Sequence, residues 1–174
     1  RVVGVRSTQG EIATPLVVLA SGVWSPELAR TAGIDLPVTA ERRFVYYVDS
    51  DAGLPERTPL TIDFATGLYF HREGAGVIVG GPWGTSEELA PVAVHRLPFL
   101  ADLCVANTWS CLYEMSPDHN ALVGRCDDPA GLLYATGFSG HGFQQAPGIG
   151  EYLADLALDR VPDLDLSALS LRRF

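Results

Sequence analysis

The stretch that most constrains the fold lies near the C-terminal end. The apolar residues Leu132-Leu133-Tyr134-Ala135 run into Thr136-Gly137-Phe138-Ser139-Gly140-His141-Gly142-Phe143-Gln144-Gln145-Ala146-Pro147. The pattern predicts a strand, a glycine-rich turn, and a helix over 145–158 with Pro147 in its first turn, where a missing N–H does no harm. That helix carries Ile149, Leu153, Leu156 and Ala157 on one apolar face. Three glycines, at 137, 140 and 142, let the backbone take up positive φ and approach a ligand closely. The free N–H groups of a helix start, with the dipole behind them, suit a negatively charged or electron-rich group.

A second strand–turn–helix is predicted near the start of the chain. Leu16-Val17-Val18-Leu19-Ala20 is a β-branched run of the kind buried on both faces in parallel sheets. Gly22 ends it, and Ser25-Pro26 caps a short helix over 26–31, with Ser25 at the N-cap and Glu27 near the positive dipole end. Two short strands, Val2 to Arg6 and Glu11 to Ala13, precede this unit around a Gln9-Gly10 turn. The middle has a different character. Phe44 to Val48, Leu60 to Asp63, Leu68 to His71 and Val77 to Gly80 are short strands between Gly, Pro and Asp turns, an antiparallel pattern. Residues 87–102 read as a helix broken by Pro91 and Pro98. Thr108 to Glu114 reads as a strand with Trp109, Cys111 and Tyr113 on one face. A polar turn at Ser116-Pro117-Asp118-His119-Asn120 leads to a strand at Ala121 to Gly124, and the tail from Asp163 reads as extended, packed by Leu164, Leu166, Leu169 and Phe174. Two α/β pieces therefore bracket a β-rich middle, as when one domain interrupts another.

Composition supports a packed globular chain: 47% of the 174 residues are hydrophobic and 19% charged. The longest apolar run, Pro15 to Ala20, is too short to span a bilayer. A net charge of −9 argues against nucleic acid or an anionic membrane as partner. Three cysteines without C-x-x-C spacing argue against a disulfide framework or zinc cage, so a reducing cytoplasm is the expected location. The opening Arg1-Val2-Val3-Gly4-Val5 reads as the middle of a fold, with no signal peptide.

Three segments occur in an order and spacing that carry a resemblance: 17–25 (VVLASGVWS), 113–120 (YEMSPDHN) and 135–143 (ATGFSGHGF). Together they resemble the FAD-dependent oxidoreductases of the D-amino-acid oxidase/sarcosine oxidase superfamily, with the sarcosine and dimethylglycine oxidase or dehydrogenase branch the most similar. The implied fold is an α/β (α+β mixture): a partial Rossmann-type FAD domain at 1–38 and 120–174, with an inserted, mostly antiparallel β-sheet substrate domain at 39–119. The family opens with a βαβ unit carrying G-x-G-x-x-G and an acidic ribose-binding residue. These 174 residues contain no such sequence. The chain thus reads as the C-terminal part of a longer enzyme, and the N-terminal FAD-binding half is an implied partner.

The resemblance also implies roles for single residues. Gly137, Gly140, His141, Gly142 and Phe143 would lie beside the isoalloxazine ring of FAD, where N–H donors favour the negative charge of reduced flavin. Alternatively, the glycines only connect strand to helix, and His141 satisfies a hydrogen bond in the core. Gly22 and Trp24, in the first motif, are further candidate cofactor contacts. Gln144 stands where sarcosine oxidases carry a lysine that binds the substrate carboxylate; otherwise it is a surface glutamine. Tyr69 matches an active-site tyrosine, or is an aromatic packed in a sheet. Val77 falls where oxygen-using relatives place a lysine near the flavin, which points toward a dehydrogenase. Cys111 aligns with a cysteine that some sarcosine oxidases link covalently to flavin; the alternative is a small buried thiol. Asp118 and His119 read as a turn, because one carboxylate and one imidazole do not make a metal site.

Two functions follow. In the first, the chain is part of a flavoenzyme oxidising the C–N bond of a secondary or tertiary amine or N-methyl amino acid, with Tyr69, His141 and Gln144 as candidate catalytic residues. In the second, the isolated chain is a non-catalytic module that folds and self-associates, as a homo-oligomer, without FAD.

Overall fold

The computed structural model describes residues 1–50, 53–102 and 104–174. The chain divides into two compact units, one of residues 1–41 and 113–174, the other of 42–112. The fold is mixed α/β with largely antiparallel pairing.

In the first unit, β1 (Gly4–Ser7) and β2 (Gly10–Ala13) form a small antiparallel hairpin turning at Thr8-Gln9. The main sheet has the order β3-β10-β9, with β3 at Val17–Leu19, β9 at Leu122–Arg125 and β10 at Leu132–Thr136. β10 runs parallel to β3 and antiparallel to β9. All five residues of β10 are buried, because both of its faces are covered. Leu132 and Tyr134 pack with Ala29 of α1 (Ser25–Thr31) and with Ile34, Leu36 and Val38. Leu133 and Ala135 pack with Ile149 and Leu153 of α3 (Gly142–Ala157). The period of two along the strand thus feeds two cores at once.

Several expectations change. β3 pairs in parallel as its β-branched run implies, but Val18 is 46% exposed, since β3 is the edge of this three-stranded sheet rather than its centre. Ser25 is not an N-cap. A 3-10 turn at Gly22–Trp24 starts the helix early, which makes Trp24 the capping position and Ser25 the first helical residue. The Ser25 hydroxyl, fully buried, lies 3.1 Å from that of Ser21. α3 starts three residues before the expected position, at Gly142, so Pro147 is internal rather than in the first turn. Its missing N–H leaves the Phe143 carbonyl without a helical donor. The tail is not extended: it folds into 3-10 turns at Ser167–Leu169 and Leu171–Arg173. Leu166, Leu169 and Leu171 pack against the cores, while Leu164 and Phe174 are exposed.

The second unit is built on a sheet of order β5-β6-β7-β4-β8, comprising β4 (Thr39–Val48), β5 (Thr61–Asp63), β6 (Leu68–Glu73), β7 (Gly76–Gly81) and β8 (Val105–Met115). One face carries Tyr46, Val48, Leu68, Phe70, Val77 and Val79, covered by Leu89, Ala93 and Leu97 from α2 (Ser86–Arg96) and the following residue. Thr85 caps α2, accepting from the Glu88 N–H at 3.2 Å. Alternation puts Tyr69, His71, Ile78 and Gly80 on the opposite face.

Candidate functional site

β10 carries the chain from the core straight into the glycine turn. Thr136, fully buried, ends the strand. Gly137 (φ 69°), Ser139 (φ 53°) and Gly140 (φ 89°) then take left-handed conformations within four residues. Such backbone is ordinary for glycine and strained for serine, so Ser139 needs outside support, and it has it. Its N–H donates to the Glu114 carbonyl at 2.9 Å, its hydroxyl donates to the Gly137 carbonyl at 3.1 Å, and its oxygen accepts the Ser116 N–H at 3.2 Å. Met115 and Phe138 form a β-bridge beside these bonds.

The carboxylate of Glu114 anchors the other end of the turn. One oxygen, Oε2, accepts from the Thr136 hydroxyl at 2.7 Å and from the Gly137 N–H at 3.0 Å. The Thr136 hydroxyl also lies 3.3 Å from the Gly22 carbonyl. Gly22 itself has φ 58°. The turn after β3 therefore reaches the turn after β10 through the Thr136 hydroxyl, which Glu114 holds.

The turn delivers the chain to the start of α3, whose first N–H groups, on Gly142, Phe143 and Gln144, precede any helical acceptor. This end is open. His141 occupies the capping position, exposed and without a capping side-chain bond, so it does not satisfy a core hydrogen bond. Gln144 is exposed and Phe143 is 94% exposed, an unusual setting for a phenylalanine. Trp24, at 64% exposure, caps α1 in the same unit. A Cβ on Gly140 would sit 2.6 Å from the Tyr113 ring, and one on Gly142 would sit 3.1 Å from Phe138. The backbone is thus pressed against aromatic rings on one side and bare on the other.

Gly22, Gly137, Gly140, His141, Gly142, Phe143 and Gln144 thus gather in the first unit. Tyr69 and Cys111 belong to the second. Tyr69 is half-buried on the sheet face away from α2, and its ring occupies the space that a side chain on its cross-strand partner Gly80 would need. Cys111 is exposed on β8, an edge strand, and is not a buried thiol. Val77 lies elsewhere in the same sheet. It is fully buried on the core face under α2, the side opposite Tyr69. Among the described residues no cluster of metal-ligating side chains occurs, and no helix is long and apolar enough to cross a membrane.

Sequence reasoning missed Glu114, Ser116 and Ser139 as supports of the turn. Nothing local marks Glu114, which lies 22 residues before Thr136. A serine between two glycines is the one visible cue for Ser139. Asp118 does belong to a turn: its carboxylate accepts the Asn120 N–H at 3.1 Å and pairs with Arg173. Arg173 holds the Asp118 carboxyl well below the usual carboxylate range.

Comparison with known proteins finds clear relatives of this chain. The model of the DAO family, FAD dependent oxidoreductase, matches residues 1–156. FAD-dependent oxidoreductase domain-containing protein 1 of Xenopus laevis is 35% identical over 190 residues, covering 91% of this chain and 38% of that protein. The 4-methylaminobutanoate oxidase (formaldehyde-forming) of Paenarthrobacter nicotinovorans is 30% identical, covering 99% of this chain and 24% of that protein. The crystal structure of L-proline dehydrogenase from P. horikoshii superposes with a TM-score of 0.84 at 29% identity, over 99% of this chain and 50% of that one. The chain thus spans half or less of the length of these relatives. It belongs to the FAD dependent oxidoreductase family.

Proposed function

We propose that this chain forms the substrate-side part of a flavoenzyme that oxidises the C–N bond of a secondary or tertiary amine, such as an N-methyl amino acid. In this reading it works with a further segment that supplies the dinucleotide-binding unit. The observation that carries the reading is the open start of α3 behind a turn held rigidly by Glu114 and Ser139. The residues fit FAD there: the start of α3 offers N–H donors without helical acceptors, and the glycines before it, lacking Cβ atoms, let the turn lie flat against Tyr113 and Phe138. Gly137, Gly140, Gly142 and Phe143 would line the flavin, with Gly22 and Trp24 contributing from the other glycine turn. When bound, FAD supplies acceptance of a hydride from the carbon beside the amine nitrogen.

The remaining roles belong to side chains of this chain. The N–H groups of Gly142, Phe143 and Gln144 would stabilise negative charge with no reorganisation cost. Gln144, a neutral donor, would orient a substrate carboxylate, Tyr69 would line the substrate cavity, and His141 would donate or accept at the helix cap. No general base is required where the neutral amine reacts. Two relatives are named for substrates with a secondary amine and a carboxylate, 4-methylaminobutanoate and L-proline, which supports the same class here.

Full-length protein purified with FAD should show flavin absorbance that bleaches anaerobically with a cognate secondary amine. A colourless protein indifferent to FAD would sink the reading. Exposed Trp24, Leu28 and Phe143 favour a second reading for the 174 residues by themselves, a module that self-associates without FAD. Saturable FAD binding by a monomeric form of the isolated chain would count against it.

A further inference from the structure

The glycine turn is held in place from the far end of the chain. The Arg173 guanidinium grips Asp118 at two points, Nε to Oδ2 at 2.8 Å and Nη2 to Oδ1 at 3.1 Å. It also donates to the carbonyls of Asn120 at 2.8 Å and Leu169 at 2.7 Å. Its side chain is only 18% exposed, unlike most surface arginines. Asp118 closes the 116–120 turn by accepting the Asn120 N–H, and within that turn His119 is held at φ 59°. The turn carries Ser116, whose hydroxyl donates to the Asn120 carbonyl at 2.7 Å and whose N–H donates to Ser139. Ser139 in turn donates to the Gly137 carbonyl. Two non-glycine residues in left-handed backbone, His119 and Ser139, are thus braced by one continuous set of bonds ending on Arg173. Strained backbone braced this fully is a common mark of a functional site.

We propose that Arg173 is a positioning residue for the flavin-facing turn. Acting through Asp118, Ser116 and Ser139, it fixes Gly137 and Gly140, and so sets the direction in which the N–H groups at the start of α3 point. The role rests on the flavin reading given above. A bidentate arginine–carboxylate contact fixes direction as well as distance, which a lysine cannot reproduce. The same tail has two other anchors that do not reach the turn. Arg172 pairs with Asp127, and the Leu171 N–H donates to the Tyr134 hydroxyl at 2.8 Å. They separate holding the tail from aiming the turn.

The test uses the full-length, FAD-loaded protein with two readouts: hydrogen exchange at the Gly137 and Ser139 amides, and the two-electron reduction potential of the bound flavin. Arg173→Ala should speed exchange at these amides about tenfold through easier local opening. It should also weaken the preference for reduced over oxidised flavin about tenfold, which lowers the potential by about 30 mV. Arg173→Lys should recover part of both changes. Arg172→Ala, which cuts only the contact with Asp127, should leave both at the wild-type value. Should Arg173→Ala fail to fold, the near-isosteric Asp118→Asn takes its place with the same expected directions. An unmoved potential, or an equal shift in Arg172→Ala, overturns the positioning role while the flavin reading stands. A wild-type protein that holds no flavin overturns both.

Discussion

The two strand–turn–helix units of the first compact unit start from similar sequence and end differently. β3 and β10 lie side by side and parallel, each leads to a left-handed glycine, and both turns touch the Thr136 hydroxyl that Glu114 holds. After β3 the chain tightens at once into a 3-10 turn and a seven-residue helix, closed internally by the Ser21–Ser25 hydroxyl pair. After β10 three left-handed residues swing the backbone outward, and a sixteen-residue helix begins with its first turn exposed. One turn satisfies its own N–H groups and the other leaves those of its helix open. The difference lies in Ser139 and Gly140, whose left-handed backbone precedes a helix with an exposed first turn.

Breaking the point that the two turns share should have the largest effect. Glu114→Ala leaves the Gly137 N–H without its acceptor and the buried Thr136 hydroxyl with only the Gly22 carbonyl at 3.3 Å, which should cost about 3 kcal/mol in urea unfolding. A loss under about 1 kcal/mol would mean that water replaces the carboxylate and that the turns are not joined there. Gly140→Ala comes next. It combines φ 89° with a Cβ driven against Tyr113, and should cost about 2 kcal/mol, with weakened flavin binding in the loaded protein. Gly22→Ala isolates the backbone term, because the nearest atom to its added Cβ is 3.9 Å away; about 1 kcal/mol is expected. Equal losses for the two glycines would erase the contrast between the turns.

The smallest effect should appear in a pH profile. Asp118 has its folded-state pKa depressed, mainly by hydrogen bonds from Arg173. Its contribution is therefore complete above the unfolded carboxyl value of about 3.9 and is lost as pH falls toward the lower folded value. Asp118→Asn should lower stability at pH 7 and flatten the decline below about pH 4. A mutant whose acid limb overlays the wild type would remove Asp118 from the network.

Much of this was legible in the sequence, and the gaps have physical causes. The continuous apolar run of β10 and the 3.6 period of Ile149, Leu153 and Leu156 are local signals, and both elements appear, the strand buried throughout and the helix on that face. The short antiparallel strands of the second unit, set off by Gly and Asp turns, were likewise visible, though strands such as β4 run longer than the apolar residues suggest. Element ends were harder. Ser25-Pro26 has the chemistry of a cap, but the 3-10 turn before it moved the helix start, and Pro147 looked like a first-turn proline until the helix began at Gly142. The exposure of Val18 was hidden because edge and centre differ by neighbours, not by composition. The supports of the site were least visible. Glu114 and Arg173 act over 23 and 55 residues of chain respectively, and no window of sequence contains both partners.

The central claim, that the open start of α3 faces the flavin, is tested most directly by amide NMR of the full-length apoprotein titrated with FAD. The largest shifts should fall on Gly142, Phe143 and Gln144, with smaller ones at Gly22 and little change in the β1–β2 hairpin. Saturable binding that leaves the Gly142, Phe143 and Gln144 amides unshifted would contradict it.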